Sequence, residues 1–177
     1  MSGHNKWSKI KHKKAATDAA KSKVFSKFSQ LIALESKKCA GDENSPSLRA
    51  VIERAKKAGM PKSNIEKAVA KGTGAGAENF EEVLYEAYGP GGVAMVITAI
   101  TDNKNRTTPE IRHLLSKRGL ELAASGSATW AFEKNGAEYK ATSFVELSDE
   151  DKEKLSELIE ALEEHDDVQE VFTNLQE

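Results

Sequence analysis

The chain has 177 residues, 38% hydrophobic and 31% charged, with a formal net charge of −2, enough apolar content for a core and too little for a membrane protein. It contains no run of about eighteen apolar residues, the lysine-rich start is followed by no apolar segment with a cleavage site, and the one cysteine, Cys39, has no partner for an internal disulfide. Helical membrane proteins and disulfide-built secreted domains are excluded, and the expected compartment is the cytoplasm.

The near-zero charge hides two opposite halves. Residues 1–72 carry 17 basic and 6 acidic residues, net +11, whereas 73–177 carry 9 and 22, net −13. The excess begins at once: from Met1 to Lys38 ten lysines stand against Asp18 and Glu35. Trp7, Ile10 and His12 lie among the first lysines, and a ring between cations can stack on a base or anchor the arm to its own domain, whereas a solvating tail needs neither. Before Ala15 there is no apolar periodicity, so a mobile basic arm is expected. From there Ala16, Ala20, Val24, Phe28, Leu31 and Ile32 recur at three- and four-residue intervals and predict a helix, with Lys14, Lys21 and Lys23 off the apolar stripe.

Ser45 as N-cap and Pro46 at the first helical position announce a second helix, carried by Leu48, Val51, Ile52 and Ala55 and stopped at Gly59. A third starts at Pro61, carries Ile65, Ala68 and Val69, and ends at Gly72. The pair around AKKAGMPKSN is superficially a helix-turn-helix, but a Gly-Met-Pro turn between short helices lacks the specificity to assign groove reading. KGTGAGAEN, with three glycines and little to bury, predicts a linker over 73–79. The expected domains are therefore 1–72, basic and helical, and 80–177, acidic and α+β.

In the acidic half, Val83 to Tyr88 and VAMVITAIT predict a hairpin turned by GPGG, which has neither the lysine nor the following helix of a phosphate-binding loop. TDNKNRT is a polar loop before a helix expected from Thr108 and Pro109 to Gly119. Lys104 and Arg106, with the helix's first N–H groups, can hold a phosphate or an acidic partner there, while Asp102, Asn103 and Asn105 can equally make turn hydrogen bonds. SATWAFEKNGAEYKAT predicts a second hairpin around Asn135 and Gly136, with Trp130 and Phe132 on one face. Strand is expected to continue from Ala137 to Leu147, bent near Thr142. Ser148 and Asp151 open a capped helix through Leu155, Leu158, Ile159 and Leu162, and VQEVFTN closes as a strand. The order ββαββαβ indicates an α+β sandwich of ferredoxin-like type.

No catalytic constellation emerges. His4, His12, His113 and His165 have neither Cys39 nor carboxylates at a zinc-ligand spacing, ASGSA is not a nucleophile elbow, and the acidic face of the last helix reads as solvated. The reading is a non-enzyme with no metal, cofactor, membrane or small-molecule substrate.

The stretch GHNKWSKIKHKKAATDAAKSKVFSK resembles the opening signature of the YebC/PmpR family, and AGMPKSNIEKAVAKG, YEAYGPGGVAMV, TDNKNRTTPEIRHLLSKRG and the closing DDVQEVFTN are similar to its later ones, in order. The resemblance implies a DNA-binding transcriptional regulator of the bacterial cytoplasm, with translational activation known for mitochondrial members and a ribosome-bound role proposed for bacterial ones. It also implies a helical domain followed by two α/β domains, one inserted in the other. Here Tyr139 to Ser143 bridges the FEKNG hairpin directly to VELSDEDKEKL, so the inserted domain is expected to be missing. Resemblance and charge together assign nucleic-acid contact to Lys6, Trp7, Lys9, Lys11, His12, Lys13, Lys14, Lys21, Lys23 and Lys27, with Lys104 and Arg106 as further candidates. Phosphate contacts carry almost no sequence information, so DNA and ribosomal RNA both stay open as partners. A protein-interaction module whose basic half grips an acidic partner is the remaining alternative.

Overall fold

The computed structural model describes residues 18–176. The chain divides into two compact units. Among the described residues one comprises 18–83 with 100–104, the other 84–99 with 105–176, so the division cuts both first strands rather than falling in a single linker.

The helical unit is built from α1 (Asp18–Lys38), α2 (Pro46–Lys57) and α3 (Lys62–Lys71). Their apolar stripes meet as the periodicity requires, with Ile32, Leu48, Val51, Ile52, Ala55, Met60, Ile65 and Ala68 forming the core and Phe25 and Phe28 packed against it. Gly59, at φ 85°, ends α2 in the left-handed conformation. The amide of Gly59 donates to the Lys56 carbonyl and that of Met60 to the Ala55 carbonyl, and this double bond closes the helix and turns Met60 into the core. Gly72 answers a different need. A Cβ there would lie 2.4 Å from the Ala33 carbonyl oxygen and 2.5 Å from the Ser36 Cβ, so the end of α3 touches α1 through a missing side chain. Ser36 Oγ donates to the Val69 carbonyl at 2.7 Å in the same contact.

Residues 73–79, expected as a linker, are tied to α1. Lys37 Nζ donates to the carbonyls of Glu78 and Phe80 at 2.8 and 2.7 Å, Ala77 is buried, and Phe80 packs with Ala33, Leu34 and Ile100. A glycine-rich composition permits a linker; here close approach and lysine capping of carbonyls hold it.

The second unit carries α4 (Lys104–Ser116), assigned to it from 105 onward, and α5 (Asp149–Glu163). Strands β1 (Glu81–Tyr88), β2 (Ala94–Thr101) and β5 (Val168–Thr173) form one sheet in the order β1-β2-β5. β2 and β5 run antiparallel, Val96 opposite Phe172, with an irregularity between Thr98 and Ala99. The α+β class is as expected, and among the described residues the strands fall into two sheets, β3 (Phe132–Asn135) and β4 (Glu138–Ala141) pairing with each other in the second. β4 stops at Ala141, short of the expected Leu147, because Thr142 and Ser143 turn back to the Ala131 carbonyl. Phe132 packs on Ala94, Ala128 and Ala131, whereas Trp130 lies 60% exposed in the turn before β3 and does not share that buried face. α5 begins as its sequence dictates, the Ser148 hydroxyl accepting the Asp151 amide at 3.2 Å.

Candidate nucleic-acid interface

Lys6, Trp7, Lys9, Lys11, His12, Lys13 and Lys14 lie outside the described residues. Among the lysines that are described, the fold sorts structural from available charge. Lys37 caps carbonyls as above, and Lys38 pairs with Glu35 at 2.8 Å and Glu82 at 3.8 Å. Partial burial works against the Lys38 charge, yet the Glu35 hydrogen bond and the charges of Glu35 and Glu82 hold its pKa above the ordinary lysine value. Lys62 pairs with Glu66 at 3.6 Å. Lys23 and Lys27 each already engage another group.

Lys21 stands apart from these. It belongs to a stripe on α1 (Asp18, Lys21, Ser22, Phe25, Ser26 and Ser29) that forms one wall of an open groove of about 550 Å³. Asn64, Lys67 and Lys71 on α3 form the other wall, and Met60 contributes from the turn between α2 and α3. The spacing of three and four residues along each helix puts these side chains on one face, and the packing of α1 on α3 brings the two faces together. No described acidic side chain lies within salt-bridge distance of Lys21, Lys67 or Lys71. Three ammonium groups therefore face a channel otherwise lined by three serine hydroxyls, one amide, one carboxylate, one thioether and a half-buried aromatic ring. Lys67 and Lys71 were missed in the sequence because they share no run with Lys21; only their own spacing on α3, off its apolar stripe, hints at the groove.

Lys104 and Arg106 sit differently from expectation. α4 begins at Lys104, with Pro109 inside it, rather than at Thr108 and Pro109. The first turn is drawn in by tertiary bonds: Arg106 Nη2 and Thr107 Oγ1 both donate to Asp167 Oδ2 at 2.7 Å, and the Thr108 and Tyr85 hydroxyls share a bond of 2.8 Å. Arg106 Nε also lies 3.9 Å from Glu110 Oε2, so its charge is compensated within the unit. His165 joins the same network, Nε2 at 2.7 Å from Glu110 Oε2 and Nδ1 accepting the Asp167 amide at 3.2 Å. Donor atoms of Glu110, His165 and Asp167 lie within 4.8 Å of one another, but the guanidinium of Arg106 already supplies the cation these carboxylates face.

A second polar centre is Glu86, buried at 4% exposure. Its carboxylate accepts the amides of Gly126 and Ala128 at 2.7 Å and of Thr129 at 2.8 Å. Burial opposes its charge, but these backbone bonds and the Thr129 side chain outweigh it and hold the pKa below the usual carboxylate value. The turn so fixed carries Trp130, whose Nε1 donates to the Tyr88 hydroxyl at 2.8 Å, and that hydroxyl in turn donates to the Ser127 carbonyl.

The molecule is thus an α+β protein of two units, whose helical unit presents a lysine-rimmed groove, and among the described residues no helix is long and apolar enough to cross a membrane. Comparison with known proteins places it more closely. The family model described as the TACO1/YebC protein N-terminal domain matches residues 5–75, and that described as the TACO1/YebC second and third domain matches 80–137 and 135–175. The chain belongs to the TACO1/YebC family. It is 40% identical to a probable transcriptional regulatory protein of Fervidobacterium nodosum over 235 aligned residues, covering 98% of this chain and 93% of the relative. A protein of the same name from Thermosipho africanus is 57% identical over 138 residues, 77% of this chain but only 55% of that relative. The crystal structure of a conserved hypothetical protein from Aquifex aeolicus superposes with a TM-score of 0.82 at 33% identity, covering 90% of this chain and 91% of that one. An alignment of 235 positions against 177 residues means that the Fervidobacterium relative carries residues with no counterpart here. The two matched segments of the second family model meet at 135–137, in the β3–β4 turn and slightly before the Tyr139–Ser143 bridge expected from sequence.

Proposed function

We propose that this chain is a non-enzymatic, nucleic-acid-binding regulator of gene expression, acting through its basic N-terminal half. One observation carries the reading: Lys21, Lys67 and Lys71 converge on one groove without a described acidic partner, within a segment of net charge +11. Ammonium groups left uncompensated beside one another favour a polyanion, and release of its counterions supplies the affinity. The names of the relatives, probable transcriptional regulatory proteins, support regulation and make duplex DNA the first target to test. A ribosomal RNA target through the same lysines is the alternative, favoured by the net −13 of residues 73–177, which repels a duplex lying across it.

The test is binding of labelled duplex DNA and structured RNA by fluorescence anisotropy between about 50 and 200 mM salt. For about six phosphate contacts, log affinity falls against log salt with a slope near −5, and replacing both Lys67 and Lys71 with Ala reduces that slope by about 1 to 2. Absence of binding to either polyanion at low salt overturns the reading.

A further inference from the structure

We infer that the groove between α1 and α3 is a binding site for a single strand of nucleic acid, with phosphates on the lysines and a base against Phe25. The inference rests on the nucleic-acid reading above and adds which form of the polymer the groove accepts. A channel of about 550 Å³ is the size of a small-ligand site. A duplex can set its phosphates against the rim lysines, but it keeps its base faces stacked away from Phe25. A single strand is slender enough to enter, and it offers what a duplex hides, the flat faces and edges of unpaired bases.

The chemistry of the walls matches such a strand group by group. Lys21 on one helix and Lys67 and Lys71 on the other place cations on both sides of a backbone running along the channel. Phe25, half-buried and packed against the core of the helical unit, presents a ring already held in place, and Met60 beside it adds a polarisable surface. A ring ordered before binding loses little entropy when a base stacks on it. Ser22, Ser26 and Ser29 bring hydroxyls that donate and accept, matching sugar hydroxyls and base edges. Asp18, the acidic group of the lining, repels phosphate and can accept from a base amino group, so a base rather than a phosphate is expected beside it.

The experiment uses the full chain and three labelled probes of equal length: an oligouridylate, an oligodeoxyuridylate and an unrelated duplex. Single strands are expected to bind more tightly than the duplex. Replacing both Lys67 and Lys71 with Ala is expected to weaken single-strand binding about tenfold or more and the duplex by less. Phe25→Leu, which keeps an apolar group against the core, is expected to weaken single strands about fivefold or more and leave the duplex unchanged. Photocrosslinking of a 4-thiouridine strand to the unsubstituted protein, mapped by mass spectrometry, supplies a reading free of any folding effect, with crosslinks expected between residues 18–29 and 60–71. Preference for uridylate over deoxyuridylate adds a contact to the 2′-hydroxyl, and equal binding confines the contacts to phosphates and bases; both results support the site. Equal losses for strand and duplex, or crosslinks that all fall elsewhere, overturn it while leaving the nucleic-acid reading intact. Failure of every probe to bind overturns the nucleic-acid reading itself.

Discussion

Glu86 shows what a single carboxylate does when the backbone surrounds it. Three amides donate to it, so the folded state binds a proton less readily than the unfolded chain, in which this pKa returns to the ordinary carboxylate value. Its contribution to stability is complete above that value and is lost as pH falls through the lower folded one. Urea unfolding between about pH 3 and 7 is expected to show a loss of stability on acidification that Glu86→Gln reduces. At neutral pH that substitution costs about 1 to 3 kcal/mol, because an amide nitrogen turned toward backbone donors leaves one of them unpaired. Nothing in the sequence marks Glu86, one acid among many in a strand; the amides that hold it come from 126–129 and meet it only in the fold. Gly72 is the opposite case. The sequence marks it as a helix stop, correctly, but its φ of −70° is open to any residue. What forbids a side chain is the Ala33 carbonyl, and Gly72→Ala is expected to lower stability by about 1 to 3 kcal/mol in the same unfolding measurement.

At the scale of elements, the three N-terminal helices were legible because each carries an apolar stripe, and Ser45, Pro46 and Gly59 bound α2 where their signals place them. The start of α4 was not. Thr108 and Pro109 read as a beginning, but Arg106 and Thr107 bond to Asp167, a residue far along the chain, and that tertiary anchor extends the helix back to Lys104 at the cost of the one hydrogen bond Pro109 cannot donate. Asp167→Ala is therefore expected to lower stability by about 2 to 4 kcal/mol, because it removes a buried carboxylate to which the Thr107 hydroxyl and the Arg106 guanidinium both donate. Arg106→Ala is expected to lower stability too, by about 1 to 3 kcal/mol, and to leave the salt slope of nucleic-acid binding unchanged, since its charge is already spent on Asp167 and Glu110. Urea unfolding of the two variants checks the stability losses, and anisotropy titrations of Arg106→Ala across salt check the slope.

Across the whole molecule, the contrast in charge between the two halves was readable in the sequence, the groove was not. The excess of lysine predicts a polyanion but not its form, because cations are counted along a sequence and aligned only by packing. Lys21 joins Lys67 and Lys71 through the seating of α3 on α1, a contact the Gly72 approach makes close. That β3 and β4 form a sheet of their own was hidden for a related reason: strand order along the chain does not say which strands pair, and the chain turns at Thr142 directly after β4. That separate hairpin has a consequence for how such a chain can be enlarged or cut down. Asn135 and Glu138 are cross-strand partners at its tip, about 5 Å apart as antiparallel neighbours are. Anything spliced into the turn therefore leaves and re-enters through adjacent points, and the strands keep their pairing whatever its size. A compact cargo with closely spaced ends, grafted between Asn135 and Gly136, finds here a permissive port.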